Sequence, residues 1–308
     1  MTEPTDPRTC SACTFDSTAH LLSRITEQLG AQLNHPQLRH HLHRNGTRRP
    51  MTTPDRPTLV AVAHGSRDPR ALPAVSALLD RVRELRPGLR VRLGHIELNA
   101  PLLTDTLRDL GGGDAVLVPL LLSRGYHVKH DLPGAAAAAE PGLRVRVAAP
   151  LGPHPLLVEA LYARLTDAGW RSDHGTSRST GVVLAAAGSR DPESAADTRR
   201  TARLLSERLG GVPVVPAYAS AASPTVPQAI RALTARGRHR IAVASCFTAP
   251  GLFATRAADT APWIASAPLG PHPAMARLVL HRYDQAIERA ETSRGATDFP
   301  LSLELASA

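Results

Sequence analysis

The chain has 308 residues, 43% of them apolar and 20% charged, which predicts about two globular domains with a substantial core and excludes a disordered or fibrous protein. Its longest uncharged apolar run, 115–122, is far short of the roughly 20 residues that cross a bilayer, no charged-then-apolar leader opens it, and its three cysteines make no disulfide framework, so a cytoplasmic protein without a membrane partner is expected. The formal net charge of +9 comes from 35 arginines and a single lysine, Lys129, spread along a chain with only 3% aromatics; that argues against a nucleic-acid partner and suits an acidic small molecule.

In chain order, residues 1–56 match nothing else in the sequence and are expected to be a disordered leader. They hold Cys10-Ser-Ala-Cys13 and His35, His40, His41 and His43, but one CxxC without a second is an incomplete zinc pattern, and a solvated tail is the preferred reading. From residue 57, short apolar or β-branched runs alternate with helical patterns. Strands are expected at 58–63, 91–96, 115–122 and 143–149, and helices at 71–85, 101–110, 132–139 and 154–168. Gly111-Gly-Gly113 precedes a strand instead of following one, so it reads as a turn. A polar segment, 171–180, has the composition of a linker. Beyond it the chain repeats itself: His64-Gly-Ser-Arg-Asp-Pro69 returns as Ala187-Gly-Ser-Arg-Asp-Pro192, and Pro150-Leu-Gly-Pro-His-Pro155 returns as Pro268-Leu-Gly-Pro-His-Pro273. Two such matches in the same order mark a duplication, with halves at 57–170 and 181–290 and a tail at 291–308. Apolar strands separated by helices imply parallel sheets covered on both faces. The expected fold is therefore α/β: two tandem repeats, each a parallel sheet flanked by helices, related by a pseudo-two-fold with a cleft between them.

In open parallel sheets ligands bind beyond the carboxyl ends of the strands, and three of the first four strands carry chemistry there. His64 follows the first, Glu97 in Glu97-Leu-Asn-Ala-Pro101 follows the second, and His127 lies in the stretch after the third. A single strand-end histidine is more often structural. Two imidazoles and a carboxylate on one edge read as a site for a divalent metal and for proton transfer. The second half is an internal control. Opposite His64 stands Ala187, opposite Glu97 stands Ser220, and Leu252 is expected opposite His127, while the Gly-Ser-Arg-Asp-Pro and Pro-Leu-Gly-Pro-His-Pro runs persist. The persistent residues, His154 and His272 among them, are expected to hold loops and helix starts in place. The sequence has no HExxH, no GxxxxGK[ST] phosphate loop and no GxSxG with triad partners, so neither ATP nor another nucleotide is expected.

Three segments, His64-Gly-Ser-Arg-Asp-Pro, Glu97-Leu-Asn-Ala-Pro and Val118-Pro-Leu-Leu-Leu-Ser-Arg-Gly-Tyr-His-Val-Lys-His-Asp-Leu-Pro133, together resemble the class II tetrapyrrole chelatases. Specifically they resemble the sirohydrochlorin cobaltochelatases and ferrochelatases, in their long two-repeat form. The resemblance implies ATP-independent insertion of Fe2+ or Co2+ into sirohydrochlorin, with loss of two protons, in siroheme or cobalamin biosynthesis. It makes His64 and His127 the metal-handling catalytic groups, His64 doubling as a proton acceptor, with Glu97 as the carboxylate of its loop. Leu122, Ser123, Arg124, Gly125 and Tyr126 would line the tetrapyrrole pocket, and Arg67, Arg124 and Lys129 would orient the polycarboxylate substrate. Some members carry a second acidic residue where this chain has Ala100. A monomer is expected, its second half supplying the opposite wall of the cleft. The rival reading is a non-catalytic carrier of the same fold that binds metal or tetrapyrrole and passes it on.

Overall fold

Strand β1 (Thr58–Ala63) reads Thr-Leu-Val-Ala-Val-Ala, and every residue of it is buried. A strand apolar on both faces belongs inside a sheet covered on both sides, and β1 pairs in parallel with β2 (Val91–His95) and with β3 (Gly113–Pro119). With β4 (Leu143–Val147) the sheet order is β2-β1-β3-β4. The computed structural model describes residues 56–297; the leader, with its cysteine pair and histidines, lies outside the described residues. Between the strands come α1 (Ala71–Leu85), α2 (Leu103–Leu110), a π-helical turn (His127–Asp131) leading into α3 (Leu132–Ala137), and α4 (Pro155–Asp167). In α1 the residues Ala71, Val75, Leu78, Leu79 and Val82 recur at helical spacing, and all are buried.

The second half repeats this plan with β5 (Thr180–Ala186), α5 (Pro192–Arg208), β6 (Val214–Tyr218), α6 (Val226–Ala235), β7 (Arg240–Ser245), α7 (Leu252–Asp259), β8 (Ile264–Ala265) and α8 (Pro273–Thr297). Its sheet is also parallel, in the order β6-β5-β7-β8. Ala63 stands opposite His95 as Ala186 stands opposite Tyr218. The expected fold class, two parallel sheets flanked by helices, is the one observed.

The halves interlock by exchanging their last helices. Helix α4 closes the first half yet packs on α5 and β7, α8 closes the second yet packs on α1 and β3, and the two helices pack on each other. Leu157, Leu161 and Leu165 of α4 and Met275, Leu278, Val279 and Tyr283 of α8 are buried in one apolar cluster that runs through both halves. Polar contacts follow the same route. The Tyr283 hydroxyl donates to the Pro57 carbonyl at 2.5 Å, Arg86 forks onto Asp284 at 2.5 and 2.8 Å, and Arg164 donates to the Leu269 carbonyl at 3.1 and 2.8 Å.

Most element boundaries differ from expectation by no more than two residues, and three regions differ by more. Strand β3 stops at Pro119, not at 122, because β1 itself ends at Ala63: past the Leu120 N–H, which donates to the Val62 carbonyl at 2.8 Å, no strand remains on that side to pair with. The 171–180 linker is packed down. Trp170 before it is buried, a 3-10 turn occupies Ser172–Thr176, the His174 ring sits 4.8 Å from that of Trp263, and β5 begins at Thr180. Helix α8 continues through 291–297, so the expected tail boundary at 290 cuts a helix. Among the described residues no helix is long and apolar enough to cross a membrane.

Candidate active site

His64 directly follows β1. The Ile96 amide donates to the Ala63 carbonyl at 2.9 Å and the Glu97 amide to the His64 carbonyl at 3.0 Å, so the β1–β2 ladder continues past both strands and sets His64 beside Glu97. Gly65 makes this possible: its φ is +103°, and a Cβ there would lie 1.9 Å from the Glu97 carbonyl oxygen, an approach only glycine allows. The 97–101 loop is tied to the turn after His64 by Asn99, whose Oδ1 accepts from the Ser66 amide at 2.6 Å. Ser66 Oγ in turn accepts from the Asp68 amide at 3.1 Å. His127 opens the π-helical turn that follows the 120–126 loop; single π turns of this kind are frequent at functional sites.

The structure brings the three expected side chains together. The His64 and His127 rings meet edge to face, with centroids 4.8 Å apart and planes at 89°, and His64 Nε2 lies 3.5 Å from Glu97 Oε1. His127 Nδ1 is 2.5 Å from Asp131 Oδ2. A carboxylate only accepts, so Nδ1 carries the proton, and in the neutral ring Nε2 is the nitrogen with the lone pair that a metal needs. Asp131 was not among the expected site residues; its signal in the sequence is the His-x-x-x-Asp spacing of one helical turn. Among the described residues no group of three or more His, Cys, Asp or Glu side chains is gathered closely enough to hold a metal. Two imidazoles, each with a carboxylate beside it, thus face each other at the candidate site.

These groups line a cleft of about 820 Å³ walled by both halves, at the upper end of small-ligand sites. The first half contributes His64, Arg67, Glu97, Leu122, Ser123, Gly125, Tyr126 and His127, and the second contributes Ala187, Gly188, Ser220, Phe247 and the 250–253 loop. Arg67 is exposed at the rim, and Tyr126 is 64% exposed. Arg124 and Lys129, expected to meet the substrate, are not brought to the lining. Arg124 pairs with Asp197 and Glu193, and Lys129 with Asp191 and Glu193. The Asp191 carboxyl is held below the usual carboxylate range, first by the Lys129 ammonium and then by the Glu193 amide, and Lys129 is correspondingly held protonated by Asp191 and Glu193.

The CbiX family model matches residues 58–168 and 181–286. The chain belongs to the CbiX family. Its two CbiX repeats coincide with the two halves of the fold. The chain is 28% identical over 172 residues to the sirohydrochlorin ferrochelatase of Bacillus subtilis, covering 54% of this chain and 64% of that one. It is 23% identical over 205 residues to the sirohydrochlorin cobaltochelatase of Priestia megaterium, covering 65% and 66%. It thus spans just under two thirds of the length of both curated relatives. Among solved structures it is similar to SirB from Bacillus subtilis with Fe3+, with a TM-score of 0.62 and 23% identity over 77% of this chain and 98% of that one; at that identity the likeness is one of fold.

Backbone bonds align the two CbiX repeats residue by residue. The Ser220 amide donates to the Ala187 carbonyl at 2.9 Å, as Glu97 does to His64, and a Cβ on Gly188 would lie 2.0 Å from the Ser220 carbonyl oxygen. Ala187 and Ser220 are therefore the counterparts of His64 and Glu97. The third counterpart is Phe253, not the expected Leu252. Lys129 N–H donates to Gly125 O at 3.1 Å and Thr255 N–H to Gly251 O at 2.9 Å, which equates Gly251 with Gly125 and so Phe253 with His127. Apart from that glycine the two loops share no residue type that could fix their alignment. His154 and His272 cap helices as expected, their Nδ1 atoms accepting from the Leu156 and Ala274 amides at 3.1 and 3.2 Å. Burial pushes His154 down to about 4 and also lowers His272, so both rings stay neutral and keep Nδ1 as an acceptor.

Proposed function

We propose that the protein is a sirohydrochlorin chelatase, inserting Fe2+ or Co2+ into the macrocycle with release of two protons and without a nucleotide. The observation that carries this reading is the pairing of His64 with His127 at 4.8 Å, with Glu97 3.5 Å from His64 Nε2, in a cleft walled by both halves. The metal is a substrate. Neutral imidazole nitrogens bind first-row divalent ions, and two of them hold an ion without enclosing it, so the ring nitrogens of the tetrapyrrole can take it over. Each divalent ion replaces two N–H protons, and those protons need acceptors. His64, once relieved of the metal, and Glu97 beside it stand where the protons leave. The stability of the metallated product drives the reaction, so no ATP is required.

Leu122, Ser123, Gly125 and Tyr126 lie along one side of the bound ring and the Phe253 loop along the other. Arg67 meets the substrate's carboxylates at the rim, and the net positive charge of the chain draws a polyanion toward the cleft. On this reading the reaction takes place in the cytoplasm, with one site on a monomeric chain. The test follows absorbance on mixing the protein with sirohydrochlorin and Co2+ or Fe2+. Metallated product from the wild type but not from His64→Ala or His127→Ala is expected. Binding of metal or tetrapyrrole without turnover would make the protein a carrier and overturn the proposal.

A further inference from the structure

The second half lacks the metal-site side chains, yet the start of its helix α5 carries carboxylates that reach across to the loop bearing His127. Asp197, whose side chain is 4% exposed, accepts from Arg124 three times: from the backbone N–H at 2.9 Å, from Nε at 2.9 Å and from Nη2 at 2.6 Å. Glu193 bridges two cations, Oε1 to Arg124 Nη1 at 2.8 Å and Oε2 to Lys129 Nζ at 2.5 Å. Asp191 takes Lys129 at 2.6 Å while capping α5 through the Glu193 amide at 2.9 Å. Nearby the Ser123 and Ser194 hydroxyls are 2.9 Å apart. His127 therefore sits between two fastened points, Arg124 before it and Lys129 after it.

Among the described residues no such network runs the opposite way across the pseudo-two-fold. The shared turn equates Asp191 with Asp68, and hence Glu193 with Arg70 and Asp197 with Ala74. The loop register equates Arg124 with Pro250 and Lys129 with Thr255. Asp68, instead of crossing over, pairs with Arg70 in its own turn at 3.0 and 2.8 Å. Among the described residues the ion pairs thus exist only in the direction that ends at a histidine. A contact needed merely to join the halves would serve both loops alike, and the exchanged helices already join them. A guanidinium forked onto a carboxylate fixes orientation as well as distance, which is what a loop holding one of two metal-handling imidazoles requires.

We propose that Asp191, Glu193 and Asp197 are positioning residues that act through Arg124 and Lys129 to hold His127 in register with His64. The effect on rate rests on the chelatase reading; the effect on His127 does not. The test uses the full chain carrying Glu193→Gln, a half-exposed position, and separately Asp197→Asn. In histidine-ring NMR of the metal-free protein, with the His127 signal assigned by its loss in His127→Gln, that signal is expected to shift or broaden in both variants while those of His154 and His272 stay in place. The kcat for Co2+ insertion is expected to fall about 10- to 100-fold with the tetrapyrrole KM within about twofold, the scale on which misplacing a reacting group acts. Should Asp197→Asn not fold, Glu193→Gln decides. An unmoved His127 signal in folded Glu193→Gln overturns the proposal whatever the wild type catalyses. A raised KM with unchanged kcat also overturns it, since Arg124 and Lys129 would then be substrate ligands. A wild type that never metallates the ring, with the His127 signal displaced in the variants, counts against the chelatase reading alone.

Discussion

The 2.5 Å contact between His127 Nδ1 and Asp131 decides which ring nitrogen can face a metal. Removing such a partner typically costs 10- to 100-fold in metal affinity. Asp131→Ala is accordingly expected to weaken Co2+ binding by about that factor, read by calorimetric titration; an unchanged affinity would mean that some other contact sets the tautomer. At the other end of the site the expected losses are in turnover. Glu97→Gln should slow chelation by about 10² to 10⁴, the usual worth of a general base, with little change in KM. A raised KM at constant kcat would make Glu97 a binding group instead. Neither His64→Ala nor His127→Ala should lower the melting temperature much, because both side chains are part-exposed and the second repeat folds with Ala187 and Phe253 in their places. The convergence of His64, Glu97 and His127 was legible in the sequence because strand ends in a parallel sheet converge on one edge. Asp131 was not, since its role depends on the chain turning helical at His127.

Two helices begin on histidines, and this makes their starts sensitive to pH. His154 before α4 and His272 before α8 accept amide hydrogens through Nδ1, which requires neutral rings. An unfolded histidine takes up its proton near about pH 6.5, whereas burial lowers both of these groups, His154 to about 4. The folded-state values are depressed, so the caps' contribution is fully present above pH 6.5 and is lost as the pH falls toward about 4, where the unfolded chain has bound protons that the folded one has not. The melting temperature should fall across that window. His154→Asn, whose side-chain oxygen caps without titrating, should flatten the fall, and equal slopes in the two proteins would show that His154 does not titrate as described. Elements built on repeated apolar spacing, such as β1 and α1, were readable to the residue. The end of β3 was not, because it depends on where the neighbouring strand β1 stops. The partners of Arg124 and Lys129 were hidden for the same reason: the carboxylates that hold them lie in the other repeat, and no local pattern announces a contact across the pseudo-two-fold.

The exchange of last helices governs what a single repeat can do alone. In a fragment of residues 51–175, α4 would lose α5 and β7, while α1 and β3 would lose α8. Leu157, Leu161 and Leu165 would be uncovered on one helix, together with the surfaces that Met275, Leu278, Val279 and Tyr283 normally cover. At roughly 1.5 to 3 kcal/mol for each large apolar side chain exposed, the loss is on the order of the whole stability of a domain. A second copy can repair part of it, since α4 and α8 start from the same Pro-Leu-Gly-Pro-His-Pro run and occupy equivalent places, so that each copy's α4 can cover the α1 and β3 of the other. That homodimer would carry two sets of His64, Glu97 and His127. It would also bring Arg70 and Ala74 of one copy, in the positions of Glu193 and Asp197, to Arg124 and Lys129 of the other, so that cations face a cation and the metal loops are unfastened. The fragment is therefore expected to aggregate or to dimerise with poor activity, and light scattering on a sizing column separates these from a monomer. The same fragment carrying Arg70→Glu and Ala74→Asp should dimerise more tightly and regain activity, because both changes restore the missing carboxylates. The intact chain should bind one Co2+ by calorimetry. A monomeric fragment with full activity, or two equal Co2+ sites on the intact chain, would show that the second repeat neither completes the core nor holds the site of the first.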